Sequence, residues 1–245
     1  LESYKDGRKP MPDEMRSQIN LIKKYLDLLG VKRLELATYE ADDIIGTLST
    51  QAKGDNFDKV HIITGDKDLL QMVDEKTIVH ITRKGVTDIE SFDEAAVFAK
   101  YEVSPQQIVD LKGLMGDPSD NLPGIPGVGE KTAIKLLKQF TTVENLVAHT
   151  DELKGKMREK VEANVEQALL CKRMATIHKE VPLPLTFDDL RYEGPHVEEL
   201  MAFFKEMEFN AFLKKIKMEE SKESKPQLPI RIIQSEQELD QLTYQ

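Results

Sequence analysis

The sequence predicts an α/β protein in which a parallel sheet flanked by helices is followed by an all-helical lobe. Three observations lead there. Met15, Ile19, Ile22, Leu26 and Leu29 recur at spacings of three and four and are followed by Gly30, the pattern of an amphipathic helix with a glycine stop. The run from Lys59 to Thr64 is short, apolar and β-branched, as a buried strand is. The second half carries the helix-start signals Ser91 with Glu94, Ser104 with Gln107 across Pro105, and Thr141 with Glu144.

Taken in order, the chain reads as a helix over 13–29, a short strand around Arg33 to Ala37, a helix over 41–52 and the strand over 59–64. Strands alternating with helices favour a parallel sheet. Thr77 to Thr82 and Gly85 to Ile89 are strand material around an Arg83-Lys84-Gly85 turn, and helices follow, including 157–176 and 197–212. The expected organisation is an α/β lobe over 1–103, a helical lobe over 104–215, a linker over 216–229 rich in Lys, Glu, Ser and Pro, and the opening of another domain over 230–245. Leu1 is not an initiating methionine, so the chain reads as an internal fragment of a longer protein.

Composition narrows the function classes. With 40% hydrophobic residues and no apolar run near the ~20 residues that span a bilayer, the expectation is a soluble cytoplasmic protein without membrane partners. The single cysteine, Cys171, excludes an internal disulfide and a cysteine-built zinc site; its neighbours Ala168, Leu169, Leu170 and Met174 mark it as an inert core thiol. A net charge of −10 argues against coating nucleic acid by bulk electrostatics, although carboxylates gathered around cations would contribute such a charge. His61, His80, His149, His178 and His196 have no ligand-like spacing and read as structural or surface residues.

Acidic residues gather in three short clusters. Glu40, Asp42 and Asp43 sit where a loop enters a helix, Asp66 and Asp68 directly follow the 59–64 strand, and Asp117 and Asp120 occupy a turn between helices. Ligands of open α/β sheets bind beyond the carboxyl ends of the strands, which is where Asp66 and Asp68 fall. Packed carboxylates repel unless a cation pairs them, and an all-oxygen set suits Mg²⁺ or Mn²⁺. Each cluster alone also has a plainer reading, as helix-dipole partners or as an Asp-x-Asp of a phosphatase.

The segment Pro123 to Thr132 places Gly124, Gly127 and Gly129 immediately before a helix whose lysines, Lys131, Lys135 and Lys138, share one face. Glycines let backbone amides approach a phosphate, so the turn can grip a DNA strand without reading its sequence. A tight inter-helix turn with a solvated lysine face is the alternative. The glycine order is not that of a nucleotide-hydrolase phosphate loop, so ATP binding is not predicted.

The blocks Tyr39-Glu40-Ala41-Asp42-Asp43, Thr64-Gly65-Asp66-Lys67-Asp68-Leu69, Gly113 to Asn121 and Gly127-Val128-Gly129-Glu130-Lys131-Thr132-Ala133 resemble, in order, the signature blocks of the 5′ nuclease or flap endonuclease superfamily. Over residues 1–215 the resemblance is to the 5′-to-3′ exonuclease domain of bacterial DNA polymerase I enzymes. It implies a PIN-like sheet and a helix-three-turn-helix lobe, in a bacterial, nucleoid-associated protein. It implies two divalent sites for Mg²⁺ or Mn²⁺, with Glu40, Asp42 and Asp43 around the first and Asp66, Asp68, Asp117 and Asp120 around the second. Lys5 and Arg8 match basic residues of the arch that passes the 5′ end and would stabilise charge during cleavage. Gly124, Gly127, Val128, Gly129, Lys131, Thr132 and Lys135 match the DNA-gripping turn, where a K⁺ ion also binds in the family.

The function so implied is hydrolysis near the 5′ end of branched or flapped DNA, serving primer removal and repair, by a monomer joined to a downstream polymerase domain, with residues 230–245 opening a proofreading-exonuclease-like domain. Two aspartates of the family pattern, one on its first strand, have no counterpart here, so the fragment alone is expected to be weakly active or inactive. The alternatives are a structure-selective DNA-binding module with a lapsed metal site and, more remotely, a metal-dependent phosphatase.

Overall fold

The computed structural model describes residues 5, 10–54, 57–85 and 87–223, with side chains through residue 216. In chain order its helices are α1 (Asp13–Leu28), α2 (Ala41–Gly54), α3 (Glu94–Tyr101), α4 (Ile108–Met115), α5 (Glu130–Phe140), α6 (Val143–Ala148), α7 (Gly155–Ala163), α8 (Val165–Ala175), α9 (Val197–Glu206) and α10 (Asn210–Glu223). The strands are β1 (Val60–Thr64), β2 (Thr77–Lys84) and β3 (Asp88–Phe92). The chain divides into two compact units that interleave in sequence: Leu1–Pro12 with Leu34–Thr186, and Asp13–Arg33 with Phe187–Gln245. Within the first unit α4 to α8 share a core with the sheet.

In the first unit the sheet order is β1-β2-β3. β1 and β2 are parallel, with Ile62 opposite Val79, while β2 and β3 are antiparallel, with Val79 opposite Phe92. The sheet is thus mixed rather than wholly parallel, because Gly85, at φ +60°, lets the chain turn straight back on itself. Period-two alternation sends Ile62, Val79, Ile81 and Phe92 into the core and leaves His61 and Ile63 of β1 on the other face. Behind the sheet the core continues through Leu69, Leu70, Met72, Val97, Leu114, Ile125, Leu137 and Leu146. Cys171 is a free, buried thiol packed with Leu122 and Ala175.

Inside the helical part, Asp110 of α4 is buried and accepts from the Val143 N–H at 2.8 Å and from Lys172 Nζ of α8 at 2.6 Å. The same ammonium reaches Glu144 of α6 at 2.6 Å, so one cation ties three helices together. A Cβ on Gly113 would lie 2.9 Å from Lys172 Cβ, which is why α4 can lie so close to α8.

In the second unit α1, α9 and α10 bury Leu200, Phe203 and Phe204 against Tyr25, Leu28, Leu29, Leu213 and Ile216. Tyr25 stacks on Phe203 with ring centroids 6.2 Å apart. α1 has no fully buried residue, and its Met15 and Ile22 stay exposed, so only part of its apolar face is used.

Several elements differ from the sequence expectations. Residues 33–37 form no strand; the Arg33 guanidinium forks onto Asp27 at 2.7 Å, and Thr38 turns the chain with φ +73°. The N-cap of α3 is Asp93, whose carboxylate accepts from the Ala96 N–H at 2.8 Å, because Ser91 is taken into β3. The cap of α6 is Thr142; Thr141 instead ends α5 at φ +69°. The Ser104 and Gln107 pair forms, with the Ser104 N–H donating to Gln107 Oε1 at 2.9 Å, ahead of α4. The expected helix over 157–176 is broken at Asn164 (φ −128°), and that over 197–212 at Glu208 (φ +58°). α10 continues to Glu223 across the first part of the expected linker, since Lys and Glu favour helix even without apolar neighbours. The rest of the expected linker and the expected following domain, over 224–245, lie outside the described residues, as does Arg8.

Candidate metal centre and glycine-rich turn

β1 ends at Thr64, and the chain leaves it through Gly65 into a 3-10 helix, Lys67–Met72. Asp66 caps that helix by accepting from the Asp68 N–H at 2.9 Å, and its own N–H is held by Thr64 Oγ1 at 2.9 Å. Asp66 is exposed, while Asp68 is half-buried behind it.

Asp117 and Asp120 follow α4. Gly116, at φ +78°, makes the turn, and Asp117 pairs with Leu122 through two backbone hydrogen bonds of 2.8 Å. Asp117 Oδ1 accepts from the N–H and hydroxyl of Ser119, at 2.8 and 2.6 Å. Asp68, Asp117 and Asp120 bring one carboxylate oxygen each to within 4.8 Å of one another.

Lys112 of α4 extends its ammonium between two of these groups, pairing with Asp68 and, at 2.5 Å, with Asp117. Burial works to raise Asp117, but Lys112 and Ser119 outweigh it and hold this carboxyl below its usual range. Burial raises Asp68 even against the nearby ammonium. Burial would lower Lys112, yet its hydrogen bonds to Asp117 and Asp68 raise it, so it remains protonated. Lys112 is not among the site residues expected from the sequence. The available signal was that Asp110 and Lys112 are the two charged residues in an otherwise apolar helix, which demands partners for both.

The third cluster opens α2. Asp43 Oδ2 accepts from the Glu40 N–H at 3.1 Å and its Oδ1 from the His178 N–H at 2.9 Å, so both oxygens already fix backbone. Glu40 pairs with Lys5, whose backbone N–H donates to the Asp120 carbonyl at 3.2 Å. Asp42 is raised to about 6, first by burial and then by the negative charges of Asp66, Asp68 and Glu40, with Lys5 opposing. Glu40, Asp42, Asp43, Asp66, Asp68 and Asp120 line one cavity of about 520 Å³ together with Lys5. A second cavity of about 800 Å³ adjoins Asp66, Asp68 and Asp117 and reaches Glu130 at the start of α5. All seven predicted carboxylates thus border these two cavities, and three of them form a compact all-oxygen set of the kind a hard divalent cation takes.

The glycine-rich turn separates into two kinds of position. Gly124 (φ +60°) is buried, and a Cβ there would lie 2.2 Å from Gly116 N; Val128 is buried too. These two predicted DNA contacts face inward and shape the turn. Gly127, Gly129, Lys131 and Lys135 are exposed, and Thr132 is partly so. Among the described residues Lys131 and Lys135 have no acidic partner, whereas Lys138 pairs with Glu102 at 2.5 Å.

Residues 1–102 match the family described as "5'-3' exonuclease, N-terminal resolvase-like domain" and residues 103–198 the family described as "5'-3' exonuclease, C-terminal SAM fold". The chain belongs to the 5′-3′ exonuclease family, a class of nuclease. It is 48% identical over 227 residues to DNA polymerase I of Bacillus caldotenax, 48% identical over 217 residues to that of Bacillus subtilis, and 39% identical over 213 residues to the thermostable DNA polymerase I of Thermus thermophilus. These matches cover 92%, 88% and 86% of the chain but 26%, 24% and 24% of the relatives, so the chain spans about a quarter of their length. The T5 5′-exonuclease with bound zinc ions shares the fold, with a TM-score of 0.59 at 20% identity over 73% of this chain and 68% of that one. A T5 flap endonuclease complex with DNA and metal ions aligns with a TM-score of 0.60 at 20% identity over 71% and 67%. Among the described residues no helix is long and apolar enough to cross a membrane.

Proposed function

We propose that this chain is the 5′ nuclease portion of a DNA polymerase I enzyme, hydrolysing phosphodiesters near the 5′ end of flapped or nicked DNA with Mg²⁺ or Mn²⁺. The observation that supports it most is the meeting of the Asp68, Asp117 and Asp120 carboxylates, from two chain segments, within 4.8 Å. Divalent ions held by such carboxylates activate water and stabilise a leaving oxygen, which removes the need for a side-chain nucleophile. Asp66, Asp68, Asp117 and Asp120 would hold one ion, and Glu40 and Asp42 the other. Asp43 would order that second group through its two backbone bonds rather than ligate directly.

Lys5, pairing with Glu40 at the cavity rim, is placed to bring positive charge to a phosphate entering there. The exposed turn from Gly127 to Thr132 and Lys135 would hold duplex backbone, with a monovalent cation such as K⁺ as part of the same grip. DNA and a polymerase domain in the same chain are the partners of this reading, and primer removal and repair its setting.

The test is cleavage of a 5′-flapped duplex with Mg²⁺ by a polypeptide extended upstream of Leu1, compared with the same polypeptide carrying Asp68→Ala. Loss of cutting on substitution, with flap binding kept, supports the nuclease. A second reading, a structure-selective DNA-binding module, draws on the ammonium groups of Lys5 and Lys112 that already pair with Glu40, Asp68 and Asp117. Flap binding by both forms, with no cutting and no Mg²⁺ or Mn²⁺ dependence, selects it.

A further inference from the structure

The sheet face turned away from the core carries a pair that sequence spacing does not reveal. His61 of β1 and His80 of β2 are 19 positions apart, yet His61 Nδ1 and His80 Nε2 lie 2.9 Å from each other. The rings are close to parallel, at an interplanar angle of 20°, and their centroids lie 5.2 Å apart, so they meet edge to edge through those two nitrogens. On its other side His80 Nδ1 meets the Ser91 hydroxyl of β3 at 2.8 Å. Around the pair the face is open: Ile63 is 67% and Ile89 45% exposed.

We propose that His61 and His80 form a two-nitrogen site for a late first-row divalent metal, copper(II) or nickel(II), separate from the carboxylate centre and independent of the nuclease reading. Imidazole is the ligand such metals prefer among protein groups, while the carboxylates of the other centre suit harder cations. The ring-nitrogen separation selects the geometry. Two nitrogens each about 2.05 Å from a metal are about 2.9 Å apart when they subtend a right angle, as in square-planar or octahedral coordination, and about 3.3 Å apart in a tetrahedron. The observed 2.9 Å, set by the hydrogen bond between the rings, already brings the two nitrogens to the separation of cis positions on copper or nickel, so the change required is a turn of the rings.

The hydrogen bond to Ser91 does what outer-shell partners of ligating histidines do. With the hydroxyl accepting from Nδ1–H, His80 keeps its Nε2 lone pair directed toward His61. His61 then needs only to carry its proton on Nε2, which leaves Nδ1 free to bind. Turning the rings so that both lone pairs converge uses the broad χ2 torsion, which costs little on an exposed face. Water completes the coordination sphere.

The experiment is a copper(II) titration of the whole chain with Mg²⁺ in excess to occupy the carboxylates, read by nitrogen hyperfine structure in electron paramagnetic resonance. A two-nitrogen signal is expected in the wild type, with affinity reduced at least tenfold in His61→Gln and in His80→Gln and less in Ser91→Ala. Circular dichroism checks that each variant folds. On the unaltered chain, the ring-proton resonances of His61 and His80 are expected to broaden first as nickel(II) is added. Wild-type affinity and spectrum in both folded glutamine variants, or first broadening at His149, His178 or His196, overturns the site and leaves the pair as a surface hydrogen bond.

Discussion

Asp42 has a carboxyl whose titration is displaced far enough to read in solution. It rises from 3.8 to about 6 because it is half out of water and faces Asp66, Asp68 and Glu40, with Lys5 as the opposing charge. A carboxyl raised in the folded state contributes stability while it is protonated, and that contribution is lost as pH rises from about 4 to about 6. Without divalent cations the chain is therefore expected to lose stability over that window. A cation reverses the balance, so Mn²⁺ affinity is expected to climb as pH passes through about 6 and then level off. Calorimetric Mn²⁺ titrations at several pH values check this; in Asp42→Asn the inflection disappears. Tyr101 gives a simpler case. Its hydroxyl is the buried side-chain polar atom without a hydrogen-bond partner among the described residues. Tyr101→Phe keeps the ring against Phe92 and removes the unpaired group, so it is expected to stabilise by about 1 kcal/mol in urea unfolding; a loss of stability would mean that the hydroxyl has a partner.

At the scale of elements the glycine-rich turn makes a contrast available. Gly124 combines φ +60° with a Cβ position 2.2 Å from the Gly116 backbone, so Gly124→Ala is expected to cost about 3 kcal/mol or more and to displace the Asp117 turn. Gly129, at φ −95° with nothing near its Cβ position, accepts alanine with little change in stability. A drop in melting temperature confined to Gly124→Ala checks the pair, and equal drops would contradict it. The elements also show what was legible beforehand. α2, β1 and α4 were read from periodicity and capping because each follows its local pattern. The caps at Asp93 and Thr142 were missed by one or two residues because neighbouring Ser and Thr offer overlapping signals, and tertiary pairing decides which hydroxyl is taken into a strand or a helix end. The breaks at Asn164 and Glu208 carry neither glycine nor proline, so periodicity ran straight through them.

For the whole molecule, the three acidic clusters could be read as one centre because each falls at the end of an element. What could not be read was which carboxylates keep free oxygens: both of Asp43 are engaged by backbone N–H groups, one from His178, more than a hundred positions away. Lys112 stands out in sequence only as a charge in an apolar helix; packing of α4 beside the Asp66–Asp68 turn gives its ammonium Asp68 as a second partner besides Asp117. Charge at this scale gives the last prediction. A chain of net charge −10 repels DNA on average, so the proposed DNA binding would rest on local cations and on neutralising the acidic centre. Lys131 and Lys135 are exposed beside the glycine turn and have no acidic partner among the described residues, and each phosphate contact on duplex DNA contributes about 0.9 to the slope of log affinity against log salt. The double change Lys131→Gln with Lys135→Gln is expected to lower that slope by about 2 for a flapped duplex, measured in Ca²⁺ to keep the acidic centre neutralised without cutting. If the two lysines and the carboxylate centre contact separate phosphates, replacing Ca²⁺ with a chelator weakens binding in both proteins by a similar factor. An unchanged slope would remove the turn from the DNA path and leave the acidic cavity as the place where the strand is held.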